Sequence, residues 1–325
     1  MANRDIVAIA DEVKKHKSAL IFAHHNPDGD AIGSAVASGL ILKELGYEVV
    51  DYAVQKDIRG YYEILSEGVN FFKPIKESYD LAVIVDCSTF EYIYNNELIS
   101  RCKRKVLIDH HISNKTTFAD FTYVDGNAAA AGELVYELCI ELDITPTRDI
   151  ANAIYVAIVE DTGHFQYSNT TKKTHEIVAN LYSYSQDFAK ISQKLHQYDV
   201  SKIKLNKAAY DNLRFYNDNK LVIIAFTKDG IDFDYDEIDT DGVIDIGKYI
   251  NTTELSIFIK EYARGEFKIS MRSMVDNLDV SEIATRFNGG GHRKAAGFKT
   301  EMKLDEIIEF FKGYMNEYER TNNCR

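Results

Sequence analysis

Apolar positions recur along the chain in two rhythms, and the balance between them shifts near residue 190. From residue 18 onward, short apolar runs alternate with stretches of helical spacing. Residues 18–23, 47–54, 81–85 and 105–108 are strand-length, and the last two are apolar enough to be buried on both faces. Residues 31–45 are rich in small side chains and end at Gly46, which predicts a helix closed by glycine. Helical spacing returns at 131–142 and 149–160, and Ile6, Ile9 and Val13 mark an amphipathic helix ahead of the first strand. Strands separated by helices predict an α/β domain with a doubly wound parallel sheet over residues 1–188. Residues 186–216 keep one helical face through Ile191, Leu195, Ile203, Leu205, Ala208 and Leu213. The stretch 189–216 is therefore read as a helical linker. Strands at 220–227, 253–262 and 268–272, a helix at 280–287, a glycine loop and a terminal helix from Leu304 follow. They predict a smaller mixed α/β domain over 217–325.

Composition narrows the class. The 325 residues are 45% hydrophobic and 27% charged, as in ordinary globular domains. No apolar run approaches the ~20 residues of a membrane helix, so no membrane partner is expected. The first residues lack the pattern of a signal peptide. The four cysteines, Cys87, Cys102, Cys139 and Cys324, show no C-x-x-C spacing, which suits buried thiols in a reducing, cytoplasmic setting. A net charge of −13 argues against coating a long nucleic-acid duplex, because such binding needs phosphates neutralised by Lys and Arg.

Open parallel sheets bind ligands beyond the carboxyl ends of their strands, so the residues after each predicted strand matter most. His24, Asp28 and Asp30 follow the first, Asp86 follows 81–85, and Asp109, His110 and His111 follow 105–108. Asp161 comes after the helical run at 149–160. Singly, each acid is as well explained as a turn residue or a helix cap. Together they would repel unless cations lay among them. Oxygen and imidazole donors without thiolate favour manganese, magnesium, iron or zinc, and this many side chains suits two ions about 3.5–4 Å apart.

These residues stand in a recognisable order. The triplet Asp109-His110-His111, the segments His24-x-x-Pro27-Asp28-x-Asp30, Val85-Asp86-Cys87-Ser88 and Glu160-Asp161-Thr162-Gly163 resemble the DHH phosphoesterase family. The run Gly289-Gly290-Gly291-His292-Arg293-Lys294-Ala295-Ala296-Gly297 is similar to the signature of the DHH-associated domain. The resemblance implies that His24, Asp28 and Asp86 hold one metal, and that Asp30, Asp86, His110 and Asp161 hold the other. It makes Asp86 the bridge, sets His111 against the phosphate and gives Asp109 an orienting role. The implied cofactors are two divalent ions, manganese first, with magnesium or cobalt as alternatives. Glu160 stands where the family often has a small polar residue, and its carboxylate is expected to point into solvent.

Among the family, the compact architecture resembles enzymes that degrade very short RNA and dephosphorylate adenosine 3′,5′-bisphosphate (pAp). The implied partners are short RNA, dinucleotides and pAp, and a homodimer is compatible with the pattern. Linear or cyclic dinucleotide phosphodiesterases, an inorganic pyrophosphatase and a non-catalytic RNA-binding module are the competing readings. Residues 264–299 carry seven basic side chains against four acidic ones, a local excess in an acidic chain. Arg272, Gly290, Gly291, His292 and Arg293 are the candidate substrate contacts, the glycines because a bare backbone can approach an anion closely.

Overall fold

A computed structural model describes residues 3–55, 62, 65, 76–112, 114, 118–236, 238, 240 and 242–323. The expected thiol Cys324 lies outside them. The chain divides into two compact units, Met1–Gln197 and Tyr198–Arg325.

In the first unit the strands are Ser18–Phe22 (β1), Val49–Ala53 (β2), Tyr79–Val85 (β3), Cys102–Asp109 (β4) and Phe121–Val124 (β5). They form one sheet in the order β2-β1-β3-β4-β5, and every pairing is parallel. Six helices accompany it among the described residues: Asn3–Val13 (α1), Gly29–Glu44 (α2), Ala131–Glu141 (α3), Arg148–Asp161 (α4), Lys172–Leu181 (α5) and Phe188–Leu195 (α6). The strand period of two sorts the side chains between faces. Ile21, Val83, Val106 and Ile108 pack with Ile9, Ala35, Leu134 and Ile154 of the helices. Leu20, Phe22, Ile84 and Leu107 pack on the opposite face with Ile93 and Ile99.

Small residues bring α2 and α4 together. A Cβ on Gly33 would lie 2.4 Å from the Ala153 carbonyl oxygen and 2.8 Å from the Ala157 nitrogen. No side chain fits there, so glycine sets the helix spacing. The strand order also decides where ligands can sit. From β1 the chain passes to β2 on one side and returns to β3 on the other. The connections beyond β1 and β3 therefore diverge and leave a crevice at their carboxyl ends.

The second unit contains Val200–Asp211 (α7), Leu213–Tyr216 (β6), Leu221–Phe226 (β7), Leu255–Ala263 (β8), Glu266–Ser273 (β9), Val280–Arg286 (α8), Gly290–His292 (β10), Ala295–Thr300 (β11) and Leu304–Asn323 (α9). Its sheet runs β10-β11-β9-β8-β7-β6, with β7 and β8 parallel and the other pairs antiparallel. On one face Ile257, Ile269, Met271 and Phe298 pack with Ile283 of α8 and Phe311 and Met315 of α9. On the other, Ile224, Phe226 and Phe258 pack with Leu205 of α7 and with Val243 and Ile244.

Three differences from the sequence pattern have physical causes. The helical pattern over 186–216 holds only as far as Asp211. Phe188, Ile191 and Leu195 of α6 join the first unit's core, and Leu205 and Ala209 of α7 join a core of the second. Leu213–Tyr216 is an edge strand against β7, and Leu213 only happened to continue the helical spacing. The expected glycine loop is instead strand β10, paired antiparallel with β11 through Gly290–Gly297, Gly291–Ala296 and His292–Ala295. At Gly291 φ is +142°, and a Cβ there would meet the Ala295 carbonyl oxygen at 2.4 Å, so glycine is required. Helix α5 was not evident from the apolar spacing. Its start is set by a hydroxyl capping box, Thr171 with Thr174, instead of the more legible Ser/Thr-x-x-Glu pattern. Among the described residues, no helix is long and apolar enough to cross a membrane.

Candidate metal centre

The strand ends of the first unit converge. His24 follows β1, and an antiparallel bridge to Ile93 fixes its backbone. Its Nδ1–H donates to the His25 carbonyl at 2.8 Å, because a carbonyl only accepts. Nε2 points the other way, 3.5 Å from Asp86 Oδ2 and 3.7 Å from Asp28 Oδ1. Asp28 caps α2, accepting from the Ala31 N–H at 3.1 Å. Asp86 takes the left-handed conformation (φ 52°), which Asp adopts more readily than most residues. Its N–H is held by the Ile108 carbonyl of β4 at 3.0 Å.

Asp30 serves two helices. It lies in the first turn of α2, is 1% exposed, and accepts from the hydroxyl of Ser34 at 3.0 Å. The residue before helix α3, Ala130, has no side chain that could cap it. The Asp30 carboxylate caps it from a distance, accepting from Ala131 N–H at 2.6 Å and Gly132 N–H at 3.0 Å. Neighbouring carbonyls of the same turn orient two more of the predicted ligands. Ala128 accepts from His110 Nδ1–H at 3.2 Å. Ala129 accepts from Asn169 Nδ2 at 2.9 Å, and Asn169 also donates to the Asp161 carbonyl at 3.0 Å. His110 Nε2 is thereby aimed at three acids, 3.5 Å from Asp161 and 3.6 Å from each of Asp30 and Asp86.

His24, Asp28 and Asp86 can each offer an atom to one point, and Asp30, His110 and Asp161 to a second. His111 also lies near Asp86 and His110, but it is not a donor of the same kind. Its Nδ1–H is committed to Asp109 Oδ1 at 2.7 Å, so that nitrogen has no lone pair for a cation. Asp109 is fully buried, and Asn114 Nδ2 donates to its other oxygen at 2.6 Å. The pair holds the His111 ring in place and, among the described residues, leaves Nε2 uncommitted.

The donor set fits divalent cations. Among the described residues Asp86 Oδ1 is buried without a hydrogen-bond partner, an arrangement costly for a carboxylate unless a cation meets it. Charge crowding tells the same story. Burial, reinforced by Asp86, Asp161 and Asp28, pushes the Asp30 carboxyl well above its usual range. Burial also raises Asp161, which His110 partly offsets, and the carboxyl settles at about 6. Burial opposes charge on His24, but contacts with Asp28 and Asp86 outweigh it and push the ring up to about 11. The metal-free cluster therefore stores protons that ligands must shed. Divalent metal affinity is expected to rise with pH through about 6, where Asp161 gives up its proton, and on toward about 11, where His24 does, by up to roughly tenfold per unit for each proton released. Calorimetric titration in two buffers of different ionisation enthalpy measures that release. Equal heats and a pH-independent affinity would contradict it.

Glu160, expected to face solvent, is instead partly buried and tied down: the Tyr62 hydroxyl donates to Oε2 at 2.6 Å. In the second unit, Arg272 and His292 both pair across to Ala295, so they stand in one row with a small residue between them. Both sit on the face opposite α8 and α9, because the alternate residues Met271 and Ala296 belong to that core. Arg272 Nε is 3.6 Å from Asp245. Gly290 and Gly291 are exposed along β10. Arg293 is engaged elsewhere, its Nε and Nη2 donating to the Asp276 carbonyl at 3.0 and 2.7 Å.

Residues 18–158 match the DHH family N-terminal domain, and residues 218–317 match the DHHA1 domain. The chain carries a DHH domain followed by a DHHA1 domain. The DHH match begins at β1 and takes in all of these predicted ligands except Asp161. Over 305 residues the chain is 27% identical to the bifunctional oligoribonuclease and PAP phosphatase of Thermus thermophilus, covering 93% of this chain and 90% of that one. The protein of the same name in Mycoplasma pneumoniae is 25% identical over 306 residues, 93% of each chain. An exopolyphosphatase-related protein of Bacteroides fragilis has a solved structure that superposes with a TM-score of 0.83 at 23% identity, covering 98% and 97% of the two chains. That likeness establishes the α/β fold.

Sequence reasoning passed over Asn114, Asn169 and the carbonyls of Ala128 and Ala129. Backbone carbonyls leave no mark in a sequence, and a lone asparagine has many uses. Only the fold shows which atoms they face.

Proposed function

We propose that this chain is a metal-dependent phosphoesterase that hydrolyses short oligoribonucleotides and pAp. The observation that carries the reading is Asp86, whose two oxygens face separate acid–imidazole groups at the carboxyl edge of the parallel sheet. The relatives named as oligoribonuclease and PAP phosphatase support the substrate class. His24, Asp28 and Asp86 would hold one ion, and Asp30, Asp86, His110 and Asp161 the other, with manganese the preferred metal. Two divalent ions at such a site supply a nucleophile at neutral pH and Lewis-acid pull on phosphoryl oxygens.

The chain's own residues do the rest. Carbonyls of His25 and Ala128 fix the tautomers of His24 and His110 and direct each Nε2 inward. Asp109 holds His111 so that its free edge meets the charge that develops on the phosphoryl group. In the DHHA1 domain, Arg272 and His292 take a substrate phosphate, with Gly290 and Gly291 allowing close approach. Arg293 contributes by holding the 276–280 turn.

A short substrate held by metals and few cationic groups gives a shallow salt dependence, whereas a long strand needs many phosphate contacts. RNA of about two to five nucleotides should turn over faster than RNA of about 20, with modest loss from about 50 to about 200 mM salt. Rates on short RNA, long RNA, pAp, cyclic dinucleotides and pyrophosphate, with manganese present, test this. Faster degradation of the long strand, or selective action on cyclic dinucleotides, would overturn the substrate assignment.

A further inference from the structure

Tyr92 occupies an unusual position beside the predicted metal ligands. It closes the short 3-10 turn Phe90–Tyr92, a few residues after Asp86. Its backbone is fixed from two sides: the Tyr92 N–H donates to Thr89, and its carbonyl accepts from the His25 N–H at 2.9 Å. The neighbouring bridge between Ile93 and His24 locks the same register. The ring lies nearly parallel to the imidazole of His24, with centroids 5.4 Å apart and planes 20° apart. Yet the residue is 51% exposed. An aromatic ring backed by a ligand histidine and open to solvent on its remaining surface is not filling a core.

Burying such a ring would bring a gain that the chain leaves unused, and every nucleobase offers a flat π-face to take it up. The geometry is right for an aromatic group joined to a phosphate. A nucleotide whose phosphate lies at the Asp86 cluster has its base a few ångströms away, within reach of a ring that already touches His24. Stacking needs no cationic side chain, which suits a chain of net charge −13. It is also tolerant of base identity. A fixed backbone and two side-chain torsions mean that little freedom is lost when a base settles on the ring.

We propose that Tyr92 is a stacking platform for the nucleobase of the nucleotide held at the predicted metal cluster. The proposal rests on the reading of that cluster as a nucleotide-handling site. It adds a base-binding element within the DHH domain itself, separate from Arg272 and His292.

The test compares binding of adenosine 5′-monophosphate and ribose 5-phosphate to the manganese-loaded protein by calorimetry, so that it does not depend on turnover. Both ligands carry the same phosphate and sugar, and only one carries a base. The wild-type protein should prefer the nucleotide by on the order of tenfold or more. Tyr92→Leu, which keeps bulk without a π-face, should erase most of that preference, while Tyr92→Phe and Tyr92→Trp should retain it. Manganese stoichiometry measured on each variant separates loss of the platform from disturbance of His24. Equal affinity for the two ligands in the wild type would overturn the proposal, as would an unchanged preference in Tyr92→Leu. A preference lost in Tyr92→Phe would overturn it too, since the hydroxyl and not the ring face would then be responsible. Base-dependent binding without hydrolysis of any phosphoester would instead sink the phosphoesterase reading and leave the platform standing.

Discussion

Asp86→Asn is expected to abolish phosphoester hydrolysis and to strip metal from both groups of ligands, while the protein stays folded. The two carboxylate oxygens face different partners, His24 on one side and His110 on the other. A neutral amide offers one weak oxygen where two charged ones stood, so each of the two proposed ions would lose charged coordination. Asparagine keeps the volume and tolerates the left-handed backbone at this position, where alanine would add strain. The metal-free variant should be at least as heat-stable as the metal-free wild type, because one member of a crowded acidic cluster has gone. Burial and the surrounding acids, Asp86 foremost, hold Asp30 abnormally protonated. Removing that charge relaxes the crowding. Metal analysis, thermal unfolding with and without manganese, and rates on pAp check all three points. A variant that keeps more than about a tenth of the activity would contradict a shared ligand.

His111→Ala should lower kcat by about 100- to 1000-fold and leave the bound metal nearly unchanged. The distinction follows from hydrogen bonding. His111 Nδ1–H is bound to the buried carboxylate of Asp109, and that hydrogen bond lifts the imidazole to about 9. With Nδ1–H held by Asp109, the ring is placed to face developing negative charge instead of lending that nitrogen to a metal. Asp109→Asn should give a milder loss, roughly 10- to 100-fold, because the ring remains but its orientation and charge are no longer enforced. Steady-state kinetics beside metal stoichiometry separates the two roles. If His111→Ala loses a full equivalent of metal, the ring is a ligand and its proposed role at the phosphate is wrong.

The chain order of acids and imidazoles was enough to point to one edge of a parallel sheet. The runs at 81–85 and 105–108 are short, bounded and flanked by polar residues, so they read as strands buried on both faces. Whatever follows such strands must emerge at the same edge, which is why His24, Asp86 and His110 were legible together. The same local logic failed where burial did not shape the sequence. Strand β10 is three exposed residues, two of them glycine, and carries no strand signal.

Tertiary structure alone decided how those side chains are aimed. The distant capping of α3 by Asp30, the anchoring of His110 on the Ala128 carbonyl and the tie from Asn169 to Asp161 all use backbone atoms of other segments. A peptide N–H or carbonyl is the same at every residue, so no sequence pattern can announce it. The row of Arg272, Ala295 and His292 depends in the same way on strand register, which hydrogen bonding across three strands sets. Residue types determined what chemistry the chain can perform, through the carboxylates and imidazoles it places at strand ends. Packing and register determined which nitrogen carries a proton and which oxygen is left to meet a cation.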